Sequence, residues 1–181
     1  ARRYNGTGNG DDYPRAIAVD GCNYIYVTGR SPGNGTSNDC ATIKYDANGN
    51  QLWVERFDGP ANLSDDARDL KVDKDGNICL TGSAYGVSFG ADYLTIKYYP
   101  DGDTAWTRRY NGPGNIGDIG LQLAVDGFGN IYITGQSDGG GTSSDYATIK
   151  YYPDGNTAWV KRYNGPANSV EIACALVVDG S

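Results

Sequence analysis

The sequence predicts an all-β protein built from a gap-free repeat of 53 residues. The stretch YYPDGDTAW at residues 98–106 returns as YYPDGNTAW at residues 151–159, and a looser copy, YDANGNQLW, stands at residues 45–53. The 181 residues include 27 Gly and 15 Tyr among many Val, Ile and Thr, a composition that favours strands and tight turns over helices. Both observations indicate that short strands recur in register along the chain. One tryptophan marks each copy: Trp53, Trp106 and Trp159.

Four strands fit within each copy. The first is AIAVD at residues 16–20, where Ile17 and Val19 alternate with small residues. IYVTG at residues 25–29 and CATIKY at residues 40–45 follow, and the fourth strand runs through the tryptophan. Asn-Gly or Asp-Gly pairs between the third and fourth strands predict hairpins. The turn between the first and second strands has Asn23, Gly76 or Gly129 at one position, which predicts a positive φ there.

Four-stranded antiparallel units of this length, stacked in register, are typical of propeller blades. VDGFGNIYITGQSDGGGTSSDYATIKYYPDGNTAWVKRYNGP, at residues 125–166, closely resembles the repeat of the seven-bladed β-propeller (SBBP) family of bacterial and archaeal secreted or surface proteins. The resemblance covers essentially the whole chain. It implies a propeller fold and an extracellular or cell-surface location, and it supplies no catalytic residues.

The repeat predicts three full blades and two partial ones. Because the partial blades lack a second and third strand, one copy is not expected to close a ring, so either the chain is part of a longer array or several chains assemble. An open array exposes edge strands and blade faces, which are templates for self-association. The predicted segments are the end of a preceding blade (1–14), blade 1 (15–67), blade 2 (68–120), blade 3 (121–173) and the first strand of a further blade (174–181).

Composition excludes several function classes. A net charge of -7 with scattered basic residues argues against nucleic-acid partners, and no apolar run approaches the length of a membrane span. The absence of Met predicts a mature piece or an excerpt. Without His, a Ser-His or Cys-His pair cannot form. The adjacent acids Asp65 and Asp66 have no second acid placed opposite them, so we predict no enzyme, no catalytic residue and no cofactor.

An acid recurs in the loop between blades, and two structural roles are open for it. Its carboxylate could cap backbone N–H groups, or it could pair with a repeated basic residue of the third or fourth strand. A ligand or ion site is the functional alternative. The acids are Asp12, Asp65, Asp118 and Glu171; the basic residues are Lys44, Lys97 and Lys150, and Arg56, Arg109 and Arg162.

Calcium is the metal to consider. VDKDGN places Asp73, Asp75 and Asn77 at alternate positions around Gly76, which resembles the start of a D-x-D-G calcium loop. The downstream acid that would complete such a loop is absent. A bare hairpin turn is the competing interpretation.

The four cysteines do not repeat, and C-x-x-C metal spacing is absent. Cys40 and Cys79 stand where other copies have Tyr, and we expect mostly buried free thiols, with one disulfide as the alternative. The remaining cysteines are Cys22 and Cys174, and glycosylation sequons stand at Asn5, Asn34 and Asn62.

These patterns together predict a non-enzymatic extracellular scaffold, structural or adhesive, that associates with itself or with other blades of a longer array. A ligand binder with one glycan or calcium site per blade is the alternative, and an enzyme is third. Since a phase-locked tryptophan is typical of core packing, only aromatics that break the pattern, such as Phe128 or Tyr85, would be free for a sugar.

Overall fold

Three separate four-stranded antiparallel sheets form the fold. The computed structural model describes residues 3–87, 90–141 and 143–179, and no helix occurs in these ranges, which confirms the all-β prediction. The strands are β1 (Tyr13–Val19), β2 (Ile25–Pro32), β3 (Asn38–Tyr45), β4 (Gln51–Phe57), β5 (Asp65–Val72), β6 (Ile78–Tyr85), β7 (Ala91–Tyr98), β8 (Thr104–Tyr110), β9 (Ile119–Val125), β10 (Ile131–Asp138), β11 (Ser144–Tyr151) and β12 (Thr157–Tyr163).

Each sheet is a simple meander of consecutive strands. The orders are β1-β2-β3-β4, β5-β6-β7-β8 and β9-β10-β11-β12, so every strand pairs with its neighbours in sequence. Consecutive antiparallel strands need only tight turns between them, which the repeated Gly, Asn and Asp residues supply. We call these sheets blades 1, 2 and 3.

The repeated Thr-Gly pair sits where the second strand crosses a bulge in the first. In blade 1 the register shifts between Pro14 and Ala16, opposite Gly29. A Cβ on Gly29 would lie 2.1 Å from the carbonyl oxygen of Tyr13, so only glycine allows the two backbones to approach this closely. Thr28 donates its hydroxyl to the carbonyl of Ala41 at 3.1 Å, tying β2 to β3. The same shift and glycine contact recur in blades 2 and 3.

The turn predictions are confirmed. Asn23, Gly76 and Gly129 have φ of 65°, 82° and 82°, so the backbone shape is kept while the side chain changes. In the hairpin before the tryptophan strand, Gly102 has a φ of 104° and its N–H donates to the carbonyl of Tyr99 at 3.0 Å. Glycine is used here because other residues rarely adopt such angles.

The blades pack face to face through two unlike surfaces. One surface of each blade, the aliphatic face, carries Ile and Leu of the second and third strands; the other, the aromatic face, carries the tryptophan with Tyr, Cys or Phe. The aromatic face of blade 1 packs on the aliphatic face of blade 2, and the aromatic face of blade 2 packs on blade 3. The first strands β1, β5 and β9 lie next to one another along this stack.

The strand limits differ from the predicted blade limits in two ways. The boundaries at 67/68 and 120/121 fall inside β5 and β9, because these strands continue through the bulge to the acid-containing loop. Residues 174–179, expected to form the first strand of a further blade, form no strand in the structure. Leu176 and Val178 are nevertheless half-buried, in the alternation that a first strand would have.

Gly102→Val is expected to destabilise blade 2. A β-branched residue at a φ of 104° is strained, and its Cβ would also approach Trp53 to 3.3 Å. We expect a loss of at least about 1 to 2 kcal/mol in the free energy of unfolding, measured by urea titration. Gly127→Val is the control, because Gly127 has no heavy atom within 4 Å of its Cβ position. Equal stability of the two variants would contradict the turn assignment.

Candidate functional site

The repeated arginine of the fourth strand pairs with an aspartate on the third strand of its own blade. The distances between guanidinium nitrogen and carboxylate oxygen are 2.9 Å for Arg56–Asp39, 2.9 Å for Arg109–Asp92 and 2.8 Å for Arg162–Asp145. Sequence reasoning did not assign these aspartates a role. The sequence pattern that could have identified them is their recurrence every 53 residues, the same interval as the arginines.

In blades 1 and 3 this arginine also reaches the preceding segment of chain. Arg56 donates to the Tyr4 hydroxyl at 2.9 Å and to the Ser31 hydroxyl at 2.8 Å. Arg162 makes the same pair of contacts, with Tyr110 and Ser137. The guanidinium therefore fixes a blade against the loop that enters it, a role that favours five fixed donors over a single charge.

Blade 2 lacks both hydroxyl groups. Phe57 and Ala84 stand where the other blades have Tyr and Ser, and Arg109 keeps the bond to the backbone carbonyl of Ala84, at 2.9 Å, that the arginines of blades 1 and 3 also make at this position.

The recurring loop acids cap backbone amides. Asp65 accepts hydrogen bonds from the N–H of Gly59 at 2.6 Å and of Tyr85 at 3.1 Å, and its side chain is fully buried. Asp118 accepts from Gly112 at 2.7 Å in blade 3. These acids hold the loop between two blades to the end of the second strand. Asp12 accepts from Gly6 at 3.2 Å, and the carboxylate of Glu171 lies beside Gly165.

The repeated lysines have other partners. Lys44 donates to the carbonyl of Pro100 in the next blade at 2.8 Å, Lys97 pairs with Asp73 at 3.0 Å, and the ammonium of Lys150 lies 5.0 Å from the ring centre of Tyr132. Of the two structural roles left open by the sequence, the capping role matches the observed contacts of the acids.

Asp73, Asp75 and Asn77, the residues of the predicted calcium loop, contact protein groups. One carboxylate oxygen of Asp73 accepts the N–H groups of Asp75 and Asn77, both at 2.9 Å, and the other accepts the Asn77 amide at 2.8 Å and the Lys97 ammonium at 3.0 Å. Asp75 is exposed and pairs with Lys74. The Asp73 carboxylate therefore has a lysine ammonium as its ionic partner in the structure.

Burial by itself would raise the pKa of Asp73, but the donors from Asn77 and Lys97 outweigh it and hold the pKa below its usual value. Blades 1 and 3 satisfy the corresponding aspartate with a tyrosine hydroxyl, as in the 2.9 Å bond from Tyr26 to Asp20. Blade 2 has Cys79 at that tyrosine position, and Lys97 supplies the missing donor.

The residues that the structure describes do not bring together a group of side chains for acid–base catalysis or metal binding. Asp65 and Asp66 are adjacent, but Asp65 binds backbone amides, whereas Asp66 pairs with Arg15 and Arg68 at 3.1 Å each. In residues 3–87, 90–141 and 143–179, no group of three or more Asp, Glu or Cys side chains is placed to hold a metal ion.

The four cysteines are free thiols. Cys40 and Cys79 are buried, as expected, and burial raises the pKa of Cys79 to about 12. Cys22 and Cys174 are exposed, which differs from the expectation of mostly buried thiols. The sequons at Asn5, Asn34 and Asn62 have exposed asparagines.

The tryptophans join one blade to the next. The indole N–H of Trp106 donates to the carbonyl of Pro153 in blade 3 at 3.0 Å, and its ring centre lies 5.9 Å from that of Tyr151. Trp53 makes the same two contacts with blade 2. Trp159 stands at the same position of blade 3, the last of the three described sheets. Its exposed fraction is 36%, against 9% for Trp106.

A family model described as a beta-propeller repeat (SBBP) matches residues 2–35 and 105–141. Both matches cover the same phase of the repeat, the end of one blade and the first two strands of the next. This chain carries SBBP beta-propeller repeats. A search of curated proteins finds no match.

Each end of the SBBP array exposes a face that is buried between its blades. Ile17 on β1 is 67% exposed, whereas the residues at its repeat position, Leu70 and Leu123, are each 1% exposed. Tyr163 at the other end is exposed together with Trp159. No helix in the described residues could cross a membrane. Phe128 and Tyr85, the aromatics that break the repeat pattern, are also exposed.

Asp65 is expected to make stability fall as pH rises from about 4 to 6. Burial raises its pKa from 3.8 to about 6, against the opposing effect of the Gly59 and Tyr85 amides, so the folded chain binds this proton more tightly than the unfolded chain does. The stabilisation is complete below the unfolded pKa and is lost as pH rises through the folded one. We expect the unfolding free energy of the wild type to fall by roughly 1 to 3 kcal/mol relative to that of Asp65→Asn over this range. A difference that does not change with pH would contradict the burial argument.

Trp106→Ala and Trp159→Ala are expected to differ in cost. Removing the ring between two blades should lower the free energy of unfolding by roughly 3 to 5 kcal/mol, and removing the partly exposed Trp159 should cost about 1 kcal/mol. Urea unfolding followed by circular dichroism measures both. Wild-type stability in Trp106→Ala would remove its assignment to the inter-blade core.

Proposed function

We propose that this SBBP array is a non-enzymatic structural scaffold of the cell exterior that binds further blades at its two end faces. The observation that carries the proposal is the contrast between like positions: Leu70, Leu123 and Trp106 are buried between blades, whereas Ile17 and Trp159 at the two ends are exposed. Apolar faces that fit a partner inside the same molecule are surfaces on which another blade can dock.

The polar residues support a scaffold in a second way. The repeated arginines, loop acids and lysines bind backbone groups or one another within and between the blades. Their partners hold the blades in register, which is what a scaffold requires of charges repeated in every unit. The matched family is a structural repeat, and the extracellular location is inferred from the secreted and surface proteins in which such repeats occur.

A binder with one glycan or calcium site per blade is the rival class. The phase-locked tryptophans are engaged between blades, and the Asp73 turn carries a lysine where a cation would bind. Ligand sites of this class would have to use exposed aromatics that occur once, such as Phe128, and so would not recur in every blade.

We expect the mass of the particle to rise with protein concentration. Light scattering from about 1 to 500 μM, a range that spans weak to moderate protein–protein affinities, measures it with and without a calcium chelator. A scaffold should assemble equally in both conditions. A single-chain mass throughout would contradict self-association, and dissociation by the chelator would favour the calcium-binding alternative.

A further inference from the structure

The aliphatic face of blade 1 carries an open apolar groove of about 440 Å³. The strands β2 and β3 line it with Ile25, Val27, Ala41, Ile43 and Tyr45, and Arg3 and Tyr4 of the segment before β1 also line it. The residues at the same repeat positions in blade 2 are buried beneath the aromatic face of blade 1: Ile78, Leu80, Leu94, Ile96 and Tyr98. The groove is therefore the surface that receives a tryptophan strand elsewhere in the molecule.

The internal contacts define what fits this groove. In blade 3 the same surface receives Trp106, whose ring lies against Tyr151 and whose indole N–H donates to the carbonyl of Pro153. The counterparts of this tyrosine and this carbonyl in blade 1 are Tyr45 and Ala47. An indole bound in the groove would have the same ring contact and the same hydrogen-bond acceptor.

The ring of Trp159 already has nearly the same position and angle as a docked tryptophan of this protein. Its ring centre lies 6.2 Å from that of Tyr132 at an interplanar angle of 59°, close to the 6.1 Å and 50° of Trp53 and Tyr26 in blade 1. Trp53 holds this geometry while docked on the next blade, so Trp159 has little reorganisation to undergo on binding. A pre-organised side chain loses less conformational entropy when it docks.

We propose that the groove of blade 1 binds Trp159 of a second copy of this chain, so that copies associate head to tail. This inference rests on the proposed function, because it names the partner of the two end faces. The contact is heterologous, since one copy contributes its last blade and the other its first. Repetition of such a contact builds a ring or a filament, according to the rotation between copies.

Docking requires part of each of two overlapping segments to leave. Residues 162–179, RYNGPANSVEIACALVVD, repeat residues 3–20, RYNGTGNGDDYPRAIAVD, and the two segments would occupy the same place. Leu176 and Val178 line a cavity on blade 3 beside Trp159, where Ile17 and Val19 of the second copy would lie. Residues 174–179 of the donor make no strand pairing and give way to β1 of the second copy, whereas Arg3 and Tyr4 of the second copy, which line the groove, give way to Arg162 and Tyr163 of the donor.

A complementation experiment tests the proposal. Trp159→Ala removes the donor ring and keeps the groove; Ile17→Asp places a charge on the receiving face and keeps the donor. Ile17 is 67% exposed, so this charge should not prevent folding. Sedimentation velocity should show each variant assembling at roughly 30-fold higher concentration than the wild type, as expected for an interface hot spot. An equimolar mixture should form a two-chain particle and nothing larger.

Control variants separate the groove from a general surface effect. Tyr152→Ala removes an exposed ring from a turn of blade 3, and Val87→Asp adds a charge to an exposed position of blade 2; both should assemble like the wild type. Leu176→Asp should loosen the covering segment and lower the concentration needed for assembly. Circular dichroism melting verifies that each variant is folded.

The outcomes separate the two proposals. If the wild type assembles and Trp159→Ala and Ile17→Asp assemble equally well, or their mixture gains nothing, the groove contact is wrong and the scaffold function stands. If the wild type keeps the mass of one chain at every concentration, both the groove contact and self-association are wrong.

Discussion

The contact between one blade's tryptophan and the next blade's third strand is the interaction on which the rest of the structure depends. A single four-stranded meander has two faces and cannot bury both by itself, so each blade is stable only against a neighbour. The indole fills the space between blades and its N–H satisfies a backbone carbonyl in the following hairpin. Because that contact must recur in one geometry, the chain keeps a step of 53 residues without insertion.

The polar contacts around this tryptophan contact differ from one blade to another. Blade 2 has Phe57 and Ala84 in place of two hydroxyl-bearing residues, and its arginine keeps the aspartate pair and the backbone-carbonyl bond that all three blades share. It also has Cys79 in place of a tyrosine, and Lys97 supplies the donor that the turn aspartate loses. The loss of the tyrosine hydroxyl is matched by the lysine contact, since an unpaired buried polar group costs more than the bond it once made contributes.

The proposed assembly follows from the same physics. A blade face that is buried inside the array keeps its composition at the ends, where Ile17 and Trp159 meet solvent. The same kind of face is buried between two blades elsewhere in the chain. The shape and the hydrogen-bond acceptor of that buried contact therefore indicate what would fit the exposed face. The groove of blade 1 and the ring of Trp159 are the two halves of one such contact.

The sequence by itself determined the strands, the turns and the period, because alternation, Asn-Gly and Asp-Gly pairs and positive-φ positions are local properties of the chain. It also located the recurring arginines, acids and tryptophans. Only the tertiary structure decided their partners: that Arg56 pairs with Asp39, that Asp65 caps amides, and that Asp73 pairs with Lys97. These pairings join different strands and different blades, and spacing along one chain does not encode which side chains meet across a sheet.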